Sequence, residues 1–186
     1  AGEIRHIPYI LHHKRSDAAA AADDAIDADR KALNAHLERT GQHAEAVLVK
    51  GGFRIKRHLP EPPPLVSLIV LTRDRVALLS HCIEGLLERT NYPNIEIIIV
   101  DNGSEEQATL EYLEAVAADP RVQVLRRPVE FNFSALNNDA VGHAGGDYLG
   151  LVNNDIAVIE PGWLEEMMGH LLRPGVGVVG AKLLYG

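Results

Sequence analysis

Residues 146–155 read Gly146-Asp147-Tyr148-Leu149-Gly150-Leu151-Val152-Asn153-Asn154-Asp155. The apolar run 148–152 is bounded by turn-forming residues, which predicts a strand covered on both faces. Polar residues follow it directly, and open α/β sheets bind their ligands at the carboxyl ends of their strands. The side-chain oxygens of Asn153 and Asp155 suit Mg²⁺ or Mn²⁺ carried by a diphosphate. The alternative is a turn rich in Asn and Asp that only ends the strand.

The chain around this stretch alternates between two kinds of pattern from residue 66 onward. Continuous apolar runs predict strands at 66–71, 95–100, 122–125, 148–152 and 176–180. Apolar residues at helical spacing predict helices at 75–89, 105–118, 133–144 and 160–172. Strands alternating with helices indicate an α/β fold, with a mainly parallel sheet, helices on both faces and right-handed crossovers.

The first third of the chain has a different composition. Ala and charged residues predict a helix at 17–39, and two short strands are predicted at 46–49 and 52–56. Four prolines follow within residues 60–64, and they predict a stiff connector because proline fixes φ and removes amide donors. We therefore predict three parts, which are a small α+β segment (1–59), a proline linker (60–64) and a ligand-binding domain (65–186).

Composition narrows the class of protein. The 186 residues carry a formal net charge of −8, which disfavours a general nucleic-acid or membrane-surface binder. The single cysteine, Cys82, excludes an internal disulfide and is predicted to be a buried hydrophobe in a helix rather than a nucleophile. There is no apolar stretch of about 20 residues and no signal-peptide pattern. We expect a cytoplasmic protein without a transmembrane segment and without a nucleic-acid partner.

Polar clusters follow three of the predicted strands, at 72–75, 101–104 and 153–155. Asp101 can accept a hydrogen bond from a base N–H or a ribose hydroxyl, and Thr72 and Asp74 close the neighbouring strand. The alternative for Asp101 is that it caps the following helix. Neither a Rossmann glycine motif nor a P-loop nor a nucleophile elbow is present, which disfavours dinucleotide-binding proteins, P-loop NTPases and α/β-hydrolases.

Four of these segments together resemble a family 2 glycosyltransferase of the GT-A fold. They are residues 66–75, 98–104, 131–138 and 146–155, in that order. The resemblance implies a nucleotide-diphosphate sugar donor, expected to be a UDP- or dTDP-sugar, and a glycan acceptor in cell-surface polysaccharide synthesis. It also implies inverting transfer and a divalent cation, Mn²⁺ or Mg²⁺.

The resemblance also implies roles for single residues. Asp101 would bind the nucleobase, with Thr72 and Asp74 beside it, and Asn153 to Asp155 match the family's Asp-x-Asp metal motif. The metal would assist departure of the diphosphate as a Lewis acid. Asn153 replaces the first carboxylate, although an amide oxygen can still bind the metal or contact ribose.

A second departure from the family pattern concerns the phosphates. Leu136 stands where many relatives have a phosphate-facing arginine, so that Asn137 and nearby amides would substitute for it.

The same resemblance places the acidic general base beyond Gly186. Residues 1–16 resemble, more weakly, the tail of a preceding domain of the same kind. We therefore expect a piece of a longer or tandem glycosyltransferase that has little or no transfer activity by itself and can associate with the membrane surface through the parent protein. The alternative is a non-catalytic nucleotide-binding or interaction module. A nucleotidyltransferase is disfavoured because residues 72–75 lack the glycine-rich basic loop.

Overall fold

The structure is a computed structural model that describes residues 22–181. The chain divides into two compact units, Ala1–Lys56 and Arg57–Gly186. The predicted tail at 1–16 lies outside the described residues. Among the helices of the described part, none is both long and apolar enough to cross a bilayer.

The first unit contains one helix and a two-stranded sheet. The helix α1 spans Ala22–Arg39, and strand β1 (Ala44–Val49) pairs with β2 (Gly52–Arg57), whose last residue begins the second unit. Asn34 Oδ1 accepts a hydrogen bond from the Ala46 amide at 2.7 Å, which ties α1 to β1. The predicted α+β character of this segment is therefore confirmed for its described part.

The second unit is built on a four-stranded parallel sheet in the order β5-β4-β3-β6. The strands are β3 (Val66–Thr72), β4 (Ile95–Asp101), β5 (Val122–Arg126) and β6 (Tyr148–Asn153). The helices are α2 (Val76–Glu88), α3 (Gln107–Val116), α4 (Phe133–Val141) and α5 (Trp163–Leu171). The predicted α/β class with a parallel sheet is confirmed.

Helices cover both faces of the sheet at β3 and β4. The edge strand β6 is exposed on one face, so the prediction that 148–152 is covered on both faces is wrong. On one face, Leu68 and Val70 of β3 belong to a core that includes buried residues of α2, α3 and α5. On the other face, Ile69 of β3 and Val100 of β4 belong to a second core that includes Leu136 of α4. Strands covered on both sides need apolar residues at successive positions, which explains the continuous apolar runs in β3 and β4.

The start of β6 is fixed by a close approach of three strands. Ser67 Oγ donates to Glu96 Oε1 at 2.5 Å, and the Gly146 amide donates to Ser67 Oγ at 2.9 Å. A Cβ atom at Gly146 would lie 2.7 Å from the carbonyl oxygen of Leu65, so a residue with a side chain does not fit. Gly146 therefore lets β6 enter the sheet in register with β3.

The proline segment at 60–64 forms no helix or strand and belongs to the second unit. Its last two carbonyl groups are held by side chains of the β3–β4 connection, because Asn94 Nδ2 donates to Pro63 O at 3.0 Å and Tyr92 Oη donates to Pro64 O at 2.8 Å. The predicted three-part division of the chain stays a prediction.

The predicted fifth strand at 176–180 is wrong. These residues form no strand, and the side chain of Val178 is 87% exposed. A strand needs a pairing partner as well as β-forming residues, and the glycines at 177 and 180 weaken the tendency further. Helix α5 also begins at Trp163 instead of at residue 160, after Pro161 and Gly162.

Candidate functional site

A cleft of about 320 Å³ lies where β3 and β6 end. Cavities of this size are typical of small-molecule sites. Four of the residues predicted to form a site line it together, namely Thr72, Asn137, Asn153 and Asp155. The parallel arrangement explains why Thr72, Asn153 and Asp155 converge, since the carboxyl ends of neighbouring parallel strands meet at one edge of the sheet. Asn137 reaches the cleft from helix α4.

The ends of β3 and β6 are joined by a side-chain hydrogen bond. Asn154 Nδ2 donates to Thr72 Oγ1 at 3.1 Å, and Thr72 is only 4% exposed. Because the amide donor of Asn154 is used in this way, its carbonyl oxygen can accept from a ligand or bind a cation. Asn154 thus holds two lining segments of the cleft in fixed positions.

Asp155 follows β6 in a turn, is exposed and lines the cleft. Residues 22–181 contain no cluster of three or more His, Cys, Asp or Glu side chains arranged to bind a metal. The oxygen donors of Asp155 and Asn153 are nevertheless suited to Mg²⁺ or Mn²⁺, which are commonly bound by one or two carboxylates together with water and substrate phosphates. The residues present therefore fit a cation that arrives with a diphosphate.

Cys82 supports the end of β6 from helix α2. Its side chain is 1% exposed, and Sγ donates to the carbonyl oxygen of Asn153 at 3.4 Å. Burial raises the pKa of the Cys82 thiol to about 11, and the negative charge of Asp155 adds to the rise. The thiol is therefore protonated at neutral pH, and the prediction that Cys82 is buried in a helix is confirmed.

Asp101 is 1% exposed and lies beside the cleft instead of lining it. Its Oδ1 accepts from the Ser104 amide at 2.8 Å, and its Oδ2 pairs with Arg126 Nη1 at 3.0 Å. Asp101 is aligned with Thr72 across the β3–β4 pair. The predicted contact of Asp101 with the nucleobase stays a prediction.

Asp74 uses its carboxylate within the protein. Its Oδ1 accepts from the amides of Glu105 and Glu106 at 2.8 and 2.9 Å, immediately before α3 begins. These hydrogen bonds, first from Glu106 and then from Glu105, lower the pKa of the Asp74 carboxyl group. Asp74 thus holds the two residues that precede α3 from another strand end, and Asp101, whose Oδ1 accepts from the Ser104 amide, does not cap this helix. A nucleotide-binding role for Asp74 stays a prediction.

Sequence reasoning missed several lining residues, namely Arg73, Asn102, Phe131 and Phe133. The Asn102 side chain is 3% exposed, and its Oδ1 atom is buried without a hydrogen-bond partner within residues 22–181. Phe131 and Phe133 are 63% and 49% exposed. Their position in the predicted 131–138 segment was a usable signal, because large apolar side chains exposed in a cleft commonly contact ligands.

Helix α4 places Leu136, which stands where the family pattern has an arginine, against the sheet. Leu136 is 3% exposed and packs in the second core against the sheet, whereas Asn137 lines the cleft. Asn137 Nδ2 donates to Phe133 O at 2.8 Å, which leaves its side-chain oxygen able to accept from a ligand. The predicted general base beyond Gly186 lies outside the described residues.

Comparison with known proteins agrees with the architecture of the cleft. Residues 67–186 match the family described as Glycosyl transferase family 2. The chain is similar to the uncharacterized protein y4gI of Sinorhizobium fredii (strain NBRC 101917 / NGR234), with 45% identity over 98% of this chain and 21% of that protein. It is also similar to the O-antigen biosynthesis protein RfbC of Myxococcus xanthus, with 38% identity over 98% of this chain and 15% of RfbC. The chain thus spans a small part of either relative.

Two solved structures share the fold. One is the mannosyltransferase PcManGT from Pyrobaculum calidifontis in complex with GDP-Man and Mn²⁺, with a TM-score of 0.54 and 16% identity over 83% of this chain and 43% of that chain. The other is S. aureus TarS 1–349, with a TM-score of 0.50 and 21% identity over 57% of this chain and 32% of that chain. These likenesses confirm the predicted GT-A-like fold.

Proposed function

Because the chain belongs to glycosyl transferase family 2, we propose that its cleft binds a nucleotide-diphosphate sugar together with Mn²⁺ or Mg²⁺. In the parent protein this donor would supply a sugar to a glycan acceptor with inversion at the anomeric carbon. The observation that carries the proposal is the joining of Thr72 and Asn154 beside Asp155 at the ends of two parallel strands. This edge is where open α/β sheets bind their ligands.

Different lining residues would contact different parts of the donor. Asp155 and the amide oxygen of Asn153 would hold the cation, and Arg73, an exposed cation of the cleft, would face the diphosphate. Thr72 would contact the nucleoside, and Asn137 would face the diphosphate in place of the family's arginine. A local positive charge matters here because the chain carries a net charge of −8 and would otherwise repel an anionic ligand.

The cation, when bound, would supply Lewis-acid stabilisation to the departing diphosphate. The residues of this chain contribute by binding and orientation. In inverting transfer the acceptor hydroxyl attacks the anomeric carbon, its proton passes to a base, and the bond to the diphosphate breaks. Holding the donor fixed in the cleft favours this geometry, because orientation removes much of the entropic part of the barrier.

The name of the Myxococcus xanthus relative, an O-antigen biosynthesis protein, supports a role in cell-surface polysaccharide synthesis. We propose UDP- or dTDP-sugars as the donors and a cytoplasmic site of action. Both follow from the family resemblance of the chain.

Titration of UDP, dTDP and GDP with and without Mn²⁺ tests the proposal. We expect Mn²⁺ to strengthen binding by at least about tenfold, which equals about 1.4 kcal/mol. A chelator should reverse the gain, and Asp155→Ala should remove it. Asp147→Ala is the matched control, because Asp147 is exposed at the opposite end of β6 and should leave the gain unchanged.

One specific observation favours a second function. Asn153 provides an amide where the family motif has a carboxylate, which fits a non-catalytic nucleotide-binding or interaction module. If binding is independent of metal and Asp155→Ala behaves like the native chain, this second function is favoured and the metal-dependent proposal is refuted.

A further inference from the structure

Two exposed aromatic rings lie at the same cleft. Phe131 and Phe133 are 63% and 49% exposed and both contribute to its lining. Exposing aromatic surface to water costs about 25 cal/mol per Å². Two such rings in one cleft therefore suggest a ligand with an apolar, flat surface.

The loop that carries Phe131 is anchored to the end of β4. Asn102 Nδ2 donates to the carbonyl oxygens of Arg127 and Val129, at 2.8 and 2.9 Å. Gly103 allows this loop to pack closely, since a Cβ atom at Gly103 would lie 3.3 Å from Pro128. The exposed rings therefore extend from a backbone that is held before any ligand arrives.

The segment after Phe131 is equally constrained. Asn132 Oδ1 accepts from the Ala135 amide at 3.0 Å and caps α4. Asn137 Nδ2 donates to Phe133 O at 2.8 Å. Because little backbone freedom is lost on binding, a ring contact here would contribute most of its energy to affinity.

The strand order indicates which part of a nucleotide reaches these rings. Asp155 follows β6, whereas the aromatic loop follows β5 and is tied to the end of β4. Neighbouring strands are about 4.8 Å apart, so the ends of β6 and β4 are separated by roughly 10 Å. A diphosphate placed at Asp155 would put its ribose near β3 and its base near Phe131 and Phe133.

We propose that Phe131 and Phe133 form a stacking subsite for the nucleobase of the donor, an inference that rests on the proposed function. Stacking on an aromatic ring is available to every base because each base has a π face. The subsite therefore supplies affinity without selecting the base.

Substitutions that remove the ring but keep an apolar side chain test the proposal. In Mn²⁺-dependent titrations of the 186-residue chain, Phe131→Leu and Phe133→Leu should each weaken binding of UDP, GDP and ADP by at least about fivefold. Phe131→Tyr and Phe133→Tyr should stay within about twofold of the native chain, because tyrosine also stacks. Val129→Ala is the control, since Val129 is 57% exposed on the same loop but does not line the cleft.

Inorganic diphosphate with Mn²⁺ is the probe without a base, and its affinity should be unchanged in all variants. Equal loss of diphosphate and nucleotide binding would show a general effect on the loop and overturn the proposal. Leucine variants that bind UDP with the affinity of the native chain would also overturn the proposal. The same holds if these variants bind UDP normally and only sugar-bearing donors more weakly. If the native chain binds no nucleotide, the proposed function fails together with the inference.

Discussion

At the scale of single residues, Asp74 shows how one carboxylate connects two loops. Asp74 lies just after the end of β3. Its carboxylate nevertheless accepts from the amides of Glu105 and Glu106, which are 31 and 32 residues further along the chain. Its backbone has a φ of 56°, in the left-handed region, which Asp and Asn adopt more readily than other non-glycine residues. Asp74 therefore fixes the β3–α2 turn and the start of α3 relative to each other.

We predict that Asp74→Ala lowers the thermal unfolding midpoint more than Asp74→Asn does. Alanine loses the hydrogen-bond acceptor and tolerates the positive φ less well, whereas asparagine keeps both properties. Differential scanning calorimetry at pH 7 measures the difference, with the exposed Asp147→Asn as control. Equal midpoints for the alanine variant and the native chain would show that this connection contributes nothing to stability.

The stabilising contribution of the Asp74 carboxylate depends on pH in a defined direction. The carboxyl pKa of Asp74 is lowered in the folded state, so its stabilising contribution is present above the pKa of the unfolded chain. The contribution is lost as the pH falls through the lowered pKa of the folded state. The Asp74→Asn variant cannot titrate at this position. Its thermal unfolding midpoint should therefore lack the part of the acid dependence that comes from Asp74.

At the scale of secondary-structure elements, β6 depends on its first turn. The strand lies at the edge of the described sheet, and it carries the cleft residues at its carboxyl end. Its entry is set by Gly146, where a Cβ would meet backbone atoms of Leu65 and Ser67 at 2.7 and 3.0 Å. The position of Asp155 therefore depends on a glycine at the opposite end of the strand.

We predict that Gly146→Ala destabilises the protein by about 1–3 kcal/mol, because the new methyl group overlaps backbone that cannot easily move. Gly177→Ala is the matched control, since an added Cβ there meets nothing within 4 Å and the backbone φ is not positive. Urea denaturation measures both variants. A native-like midpoint for Gly146→Ala would contradict the proposed role of this close approach.

At the scale of the whole molecule, the cleft belongs to a single unit. All of its lining residues fall between Leu71 and Asp155, inside the unit Arg57–Gly186. The first unit has its own helix, two-stranded sheet and buried side chains at Leu37 and Ala46. Donor binding should therefore be a property of the second unit.

We predict that a chain of residues 57–186 binds UDP with Mn²⁺ within about twofold of the full chain, the tolerance expected for independent regions. Isothermal titration of the two chains measures the comparison, with circular dichroism to verify that the shorter chain is folded. A folded shorter chain with much weaker binding would show that the first unit contributes to the site.

The sequence by itself determined four strands and four helices of the second unit and where the polar ends of the strands lie. Buried parallel strands need unbroken apolar runs, and such runs are visible in β3 and β4 without any partner. The run in β6 also predicts a strand, but its burial on both faces could not be predicted, since Leu149 and Leu151 are exposed on one face of this edge strand. Thr72, Asn153 and Asp155 could be predicted to share one edge of a sheet, because they lie at the carboxyl ends of these runs.

Only the tertiary structure decided how the remaining polar groups are used. It pairs Asp101 with Arg126, assigns Asp74 to the start of α3, and places Phe131 and Phe133 in the cleft. It also leaves residues 176–180 outside the sheet. Each of these outcomes depends on partners far apart in sequence, and local propensity contains no information about which distant group will complete a hydrogen bond or a strand pair.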